Sequence, residues 1–128
     1  MITTRTSTVP ALVLIVEDDP PIADLIAAVV EGAGYEPLVA THGRQGLDLA
    51  RLRQPALVLT DLMLPYLTGK ELIAALHADA DAAGRSPAPV IVLTAASAHM
   101  ARESGADALL TKPFDLAELE GLLHRFLA

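Results

Sequence analysis

Four short apolar runs, each closing on a chemically reactive residue, constrain this chain more than any other feature. Leu12-Val13-Leu14-Ile15-Val16 runs into Glu17-Asp18-Asp19, and Ala56-Leu57-Val58-Leu59-Thr60 runs into Asp61. Val90-Ile91-Val92-Leu93 runs into Thr94, and Ala108-Leu109-Leu110-Thr111 runs into Lys112-Pro113. Continuous apolar runs of this length read as strands buried on both faces, the habit of a parallel sheet covered by helices. Ligands of such sheets bind beyond the carboxyl ends of the strands. An acid pair, an aspartate, a hydroxyl and an ammonium are therefore expected to meet along one edge.

The segments between these runs have helical spacing. Ile22, Leu25, Ile26, Val29 and Val30 form one stripe, opened by Pro20-Pro21 and closed by Gly32 or Gly34. A weaker strand, Leu38-Val39-Ala40, is followed by a helix from about Arg44 to Leu52, and Thr68 to Leu76 or slightly beyond forms a third. Ala98 to Ser104 is a short helix ending before Gly105. Asp115 and Glu118 have capping-box spacing ahead of Leu116, Leu119, Leu122, Leu123 and Phe126. The order is βα repeated five times, which predicts an α/β three-layer sandwich with five helices around a five-stranded parallel sheet. Right-handed crossovers favour the strand order 2-1-3-4-5, a flavodoxin-like arrangement that sets strands 1 and 3 side by side.

Composition narrows the partners. At 128 residues the chain reads as one domain, residues 11–128, behind a flexible threonine-rich tail at 1–10. A formal charge of −7 argues against direct nucleic-acid binding, which needs a basic face. No cysteine is present for a disulfide or a thiolate metal site. The longest apolar stretches are about six residues, against roughly 20 for a membrane span. Met1 to Val9 lacks the apolar core of a signal peptide, so a cytoplasmic location with no membrane partner is expected.

Strand adjacency sets the chemistry. Glu17 and Asp18 at the end of strand 1 and Asp61 at the end of strand 3 place three carboxylates in one pocket. Two like charges about 4 Å apart repel by roughly 4 kcal/mol at an effective dielectric near 20, so the cluster raises its own pKa values or draws in a cation. An all-oxygen set with room for water suits Mg²⁺ or Mn²⁺ rather than zinc. Taken alone, Glu17-Asp18-Asp19 reads equally well as the acidic start of a helix. With Asp61, Thr94 and Lys112 each closing a strand, a shared pocket explains all of them at once.

These motifs resemble the receiver domain of two-component response regulators, from about Leu12 to Leu127. Val-Glu-Asp-Asp-Pro at 16–20 is similar to the family's acid pair, with Asp18 implied as the direct metal ligand and Glu17 acting mainly through water. Asp61 in Asp-Leu-Met-Leu-Pro, with Gly69 following, resembles the phosphoacceptor turn, and the backbone carbonyl of Met63 is implied as a further metal ligand. Thr94 in Leu-Thr-Ala resembles the switch hydroxyl. Lys112 in Thr-Lys-Pro-Phe resembles the family lysine, whose bond to proline is usually cis. The resemblance implies a phosphorylation-dependent switch rather than an enzyme, working in a two-component or phosphorelay pathway. Its partners would be a sensor histidine kinase or a histidine phosphotransfer protein, and a downstream protein target.

The departures are specific. Leu109 stands where the family often has a switching aromatic, so it either takes part in the switch or fills the core. The stretch from Thr94 to Lys112 is short, leaving helix 4 stunted. Ala78 to Pro89 is long, as an extension of helix 3 or as a loop. Tyr66-Leu67-Thr68 replaces small or acidic residues, as a partner contact, a lid or local packing. The residues beside the path of a hydrolytic water would be Met63 and Ala96, neither able to hold one, which implies slow dephosphorylation. His42, His77, His99 and His124 are scattered, with no pair at metal-ligand spacing. A phosphohydrolase of the haloacid dehalogenase type would need an acid two residues after Asp61, where Met63 stands. Other readings are the receiver half of a longer regulator, or a pseudo-receiver that binds without phosphorylation. With no output domain expected after helix 5, the chain reads as a stand-alone regulator or relay shuttle.

Overall fold

The computed structural model describes residues 9–95 and 98–128; most of the expected tail and Ala96 lie outside the described residues. Strands and helices alternate as β1 (Leu12–Val16), α1 (Pro20–Gly32), β2 (Glu36–Ala40), α2 (Gly43–Arg53), β3 (Leu57–Asp61), α3 (Gly69–Ala82), β4 (Val90–Thr94), α4 (Ala98–Arg102), β5 (Ala108–Thr111) and α5 (Leu116–Leu127). The strands form one parallel sheet in the order β2-β1-β3-β4-β5, as the apolar runs predict.

Alternation along each strand builds two cores. Leu14 and Val16 of β1 face Leu47 of α2 and Leu72 and Ile73 of α3. Val13 and Ile15 face Ile26 and Val30 of α1 and Leu119 and Leu123 of α5. Burying each such side chain stabilises the fold by about 2 kcal/mol, so the sheet is a stiff frame. Its register places the reactive residues. Val16 lies opposite both Ala40 and Thr60, Asp61 opposite Leu93, and Thr94 opposite Thr111. Glu17, Asp61, Thr94 and Lys112 thus come off neighbouring strands at the same edge.

Some helix ends match the expectation and others differ from it in instructive ways. Helix α1 starts where Asp19 accepts a hydrogen bond from the Ile22 amide, and Gly34 turns the chain away at φ +95°. Helix α3 continues past Leu76 to Ala82. Alanine favours helix, Ala80 is wholly buried, and Asp79 reaches across to Arg51 of α2 at 2.8 Å. The segment beyond Leu76 is therefore first helix and then, from Gly84 at φ +69°, loop. Asp115 caps α5 by accepting from Ala117, one residue short of the capping-box position. The reciprocal box is found instead at α3, where Thr68 accepts from the Glu71 amide at 3.2 Å and Glu71 accepts from the Thr68 amide at 3.0 Å. Strand β2 begins two residues earlier than Leu38, at Glu36, and α4 is the stunted helix the short segment implies. Among the described residues, no helix is long and apolar enough to cross a membrane.

Candidate functional site

Glu17 leaves β1 pointing inward. It is 1% exposed, and the amide N–H of Glu17 donates to the Ala40 carbonyl at 3.0 Å, fixing the turn between sheet and helix. One side-chain oxygen accepts from the Asp19 amide at 3.2 Å, and the other accepts from Nζ of Lys112 at 2.6 Å. Asp61 is the last residue of β3 and only 8% exposed. Its Oδ2 accepts from the same Nζ at 2.8 Å, and its Oδ1 accepts from the Met63 amide at 3.1 Å. Lys112 is placed by β5, since its amide donates to the Thr94 carbonyl at 2.9 Å. The Lys112–Pro113 peptide bond is cis, as the resemblance implies.

Asp18 is exposed at the mouth and makes no hydrogen bond or ion pair among the described residues. Each of Glu17, Asp18 and Asp61 nonetheless offers an oxygen within 4.8 Å of the others, which brings the expected acid cluster together. The donors are all carboxylate oxygens, and one residue keeps both of its oxygens available. That set fits a hard divalent cation of the magnesium type and offers nothing to a thiophilic one.

Charge balance in the pocket rests on the lysine. Burial pushes the Glu17 carboxyl above its ordinary range, and the Asp61 charge adds to that, against the hydrogen bonds from Lys112 and the Asp19 amide. Burial pulls the Lys112 ammonium down, but its hydrogen bonds to Asp61 and Glu17 outweigh this and hold it above its ordinary value. The ammonium therefore stays charged, and Glu17 is the carboxylate held at a cost.

The other expected residues occupy distinct settings. Thr94 ends β4, wholly buried. Leu109 lies in β5, partly buried against the cluster that holds Val92 and Ala101, so it contributes packing. The side chain of Met63 is 61% exposed. His99 does not join the pocket: it lies on the outside of α4 beside Glu103, 3.5 Å away. Three features of the loop after Asp61 escaped the sequence reading. Gly69 sits so close to the Asp61 carbonyl that a side chain would collide with it, and Gly43 abuts the Leu67 carbonyl in the same way. Tyr66 adopts φ +71°, with its ring edge-on to His42. Thr-x-x-Glu at 68–71 was a readable signal for the helix that ends this loop; a left-handed tyrosine has none.

Known proteins share this fold. The family model for the response regulator receiver domain matches residues 13–124. A DNA-binding dual master transcriptional regulator, RpaA of Synechocystis sp., is 40% identical over 121 residues, covering 88% of this chain and 49% of its own length. The chain thus spans about half the length of the curated relatives it matches. The Francisella response regulator 1452 receiver domain superposes with a TM-score of 0.79 at 32% identity, covering 91% of this chain and 95% of its own. The receiver domain of the sensor histidine kinase PA1611 from Pseudomonas aeruginosa, with magnesium coordinated in its active-site cleft, gives 0.79 at 29% identity, covering 91% and 97%. This chain belongs to the response regulator receiver domain family.

The raised pKa of Glu17 makes a signed prediction for the metal-free protein. The native state then holds this proton more tightly than the unfolded chain, so stability falls as pH rises from the ordinary value of 4.5 through the folded value. Glu17→Gln keeps an acceptor for Lys112 and removes that penalty. In urea melts with EDTA, the variant should gain on the wild type as pH is raised from about 4.5 to neutrality. A difference that stays flat or shrinks contradicts the assignment.

Proposed function

We propose that this receiver domain is a phosphorylation-dependent switch of a two-component or phosphorelay pathway, with Asp61 as the phosphoacceptor. The observation that carries the reading is the single ammonium of Lys112 shared between Asp61 and Glu17, at 2.8 and 2.6 Å, with Asp18 beside them. Oδ1 or Oδ2 of Asp61 attacks the phosphorus of a phosphohistidine; the new O–P bond forms as the P–N bond breaks, and the electron pair leaves with the imidazole nitrogen. Lys112 lies where charge accumulates on the acyl phosphate, so catalysis here is positioning and electrostatics. Asp18, Asp61 and the Met63 carbonyl, with Glu17 acting mainly through water, would hold Mg²⁺, which would supply positive charge to the phosphoryl group, and Mn²⁺ fits the same oxygen set.

Thr94 is the hydroxyl that turns toward the new phosphoryl oxygens and draws the loop after β4 with it. That movement shifts a pre-existing equilibrium on the face built from α4, β5 and α5, where the downstream protein binds. A hundredfold shift requires about 2.7 kcal/mol, the scale of one or two charge-assisted hydrogen bonds. Leu109 follows this movement as packing. The chain assists its own phosphotransfer and slow dephosphorylation and turns over no separate substrate. Its donor is a sensor histidine kinase or a histidine phosphotransfer protein, which places it in the cytoplasm. A second reading, the receiver half of a longer regulator, is favoured by relatives about twice its length. The charge of −7 still disfavours direct nucleic-acid contact by the receiver itself.

Intact mass after treatment with acetyl phosphate tests the central assignment. The mass should rise by one phosphoryl group with Mg²⁺ and not with EDTA, and Asp61→Asn should abolish the rise. A persistent shift in that variant assigns the phosphoryl group elsewhere.

Lifetime provides a further prediction. Met63 presents an apolar side chain, and the sequence puts alanine at 96, so neither orients a hydrolytic water. Met63→Asn with Ala96→Glu should speed phosphate loss about a hundredfold, the low end of what positioned proton-accepting groups contribute. Decay of the phosphorylated protein after donor removal, at fixed Mg²⁺, reads this directly. Equal decay in wild type and double variant would remove these positions from control of the lifetime.

A further inference from the structure

A cavity of about 620 Å³ opens at the amino edge of the sheet, between the last turns of α2 and α3. Its floor is apolar: Ala50, Pro55 and Val58 are buried and Leu76 half-buried. Val58 precedes Asp61 on β3 by about 10 Å of strand, so this cavity is distinct from the acid pocket. The volume suits a small molecule, and an apolar floor with a few polar groups is the usual build of such sites. The polar groups stand at the rim. Arg51 and Asp79 close a fork, Nε donating to Oδ2 at 2.8 Å and Nη2 to Oδ1 at 3.3 Å. The fork holds the Asp79 carboxyl below its ordinary range, so the pair is ionised and neutral overall. Arg85 is different: its side chain has no hydrogen bond or ion pair among the described residues. Its backbone is nonetheless fixed. The Arg85 amide donates to the Ala80 carbonyl at 3.0 Å and the Gly84 amide to the Asp81 carbonyl at 3.1 Å, with Gly84 at φ +69°. These two bonds end α3 and set Arg85 at the mouth of the cavity. Gln54 and Ser86 add an amide and a hydroxyl to the lining.

With Arg51 neutralised by Asp79, Arg85 leaves the cavity one uncompensated positive charge, on a chain whose formal charge is −7. A guanidinium presents parallel N–H donors that match a carboxylate or a phosphate. The helices decide between the two. Phosphate sites gather at helix N-termini, whereas α2 and α3 both bring their partly negative C-terminal ends here. For one negative charge, contact with the guanidinium outweighs the screened field of those ends. A second charge meets the same field with no second cation to offset it. We propose that this cavity is a binding site for a small monocarboxylate with an apolar body, its carboxylate on Arg85 and its body on Ala50, Pro55, Val58 and Leu76. The site stands independently of the reading of Asp61.

The test titrates isotope-labelled protein, in EDTA, with benzoate, benzamide and phenyl phosphate, which share one apolar ring and differ in the head group. Work at about pH 8 keeps both charges on the phosphate. Amide resonances of residues 50–58 and 83–88 are followed by NMR. Benzoate should shift them saturably with Kd of about 1 mM, a strength within reach of so small a ligand. Benzamide should bind about tenfold more weakly, the scale of one charge-assisted hydrogen bond. Phenyl phosphate should also bind more weakly than benzoate. Arg85→Gln should lower benzoate to the affinity of benzamide and leave benzamide unchanged, while Arg85→Lys keeps most of the benzoate affinity. The spectra away from these residues report the fold of each variant, so weak binding cannot be charged to misfolding. Absence of saturable shifts at these residues, equal affinity for benzoate and benzamide, or an Arg85→Gln variant that binds benzoate as wild type does would each overturn the site. Tighter binding of phenyl phosphate would overturn the carboxylate assignment.

Discussion

The Nζ atom of Lys112 lies 2.6 Å from Glu17 and 2.8 Å from Asp61, joining residues 95 and 51 positions away in sequence. Each contact is worth roughly 6 kcal/mol of attraction at an effective dielectric near 20, before desolvation is subtracted. Carboxylate oxygens up to 4.8 Å apart repel by roughly 3 to 4 kcal/mol on the same scale. The lysine thus outweighs the repulsion that a buried acid pair would otherwise impose on the edge of the sheet. Everything else at this edge is arranged so that one ammonium reaches both acids. The strand ends are level, β5 delivers Lys112 through the Thr94 carbonyl, and Glu17 is turned inward by the Ala40 carbonyl.

That arrangement also explains why the pocket is suited to a change of charge. Asp61 is held by two donors of different kinds, an ammonium on Oδ2 and a backbone amide on Oδ1. The amide belongs to Met63, so whatever happens at Asp61 is felt first by the loop that follows. The loop is confined at its far end, where Gly69 packs on the Asp61 carbonyl and Thr68 and Glu71 lock the start of α3. It is confined from the side by His42 and Gly43 of α2. A loop with so few free ends transmits a change at Asp61 as a shift of position rather than as fraying.

The strands and their reactive ends were legible because each apolar run stops where chemistry begins, and a parallel sheet has one carboxyl edge. Glu17, Asp18, Asp61, Thr94 and Lys112 could be assigned to that edge before any coordinates. What escaped was decided by tertiary contact. Ala78 to Ala82 carries no apolar stripe, so the sequence left helix extension and loop both open; burial of Ala80 and the reach of Asp79 to Arg51 favour the helix. Capping-box spacing was read at Asp115, whereas it is at Thr68, where it was not read, that the glutamate reaches back. The left-handed Tyr66 had no local signal, because tyrosine has no preference for that region; its ring meets His42, which lies far from it in sequence.

Chemical denaturation of Lys112→Met against wild type, in EDTA and again in saturating Mg²⁺, tests the role of this ammonium most directly. Methionine keeps the apolar stem and removes the charge, leaving Glu17 and Asp61 facing each other. Breaking a buried pair in this way costs about 3 kcal/mol. That loss should appear in EDTA and shrink markedly in Mg²⁺, because a bound cation takes over part of the charge balance. A variant as stable as wild type in EDTA, or a loss that Mg²⁺ leaves unchanged, would contradict it.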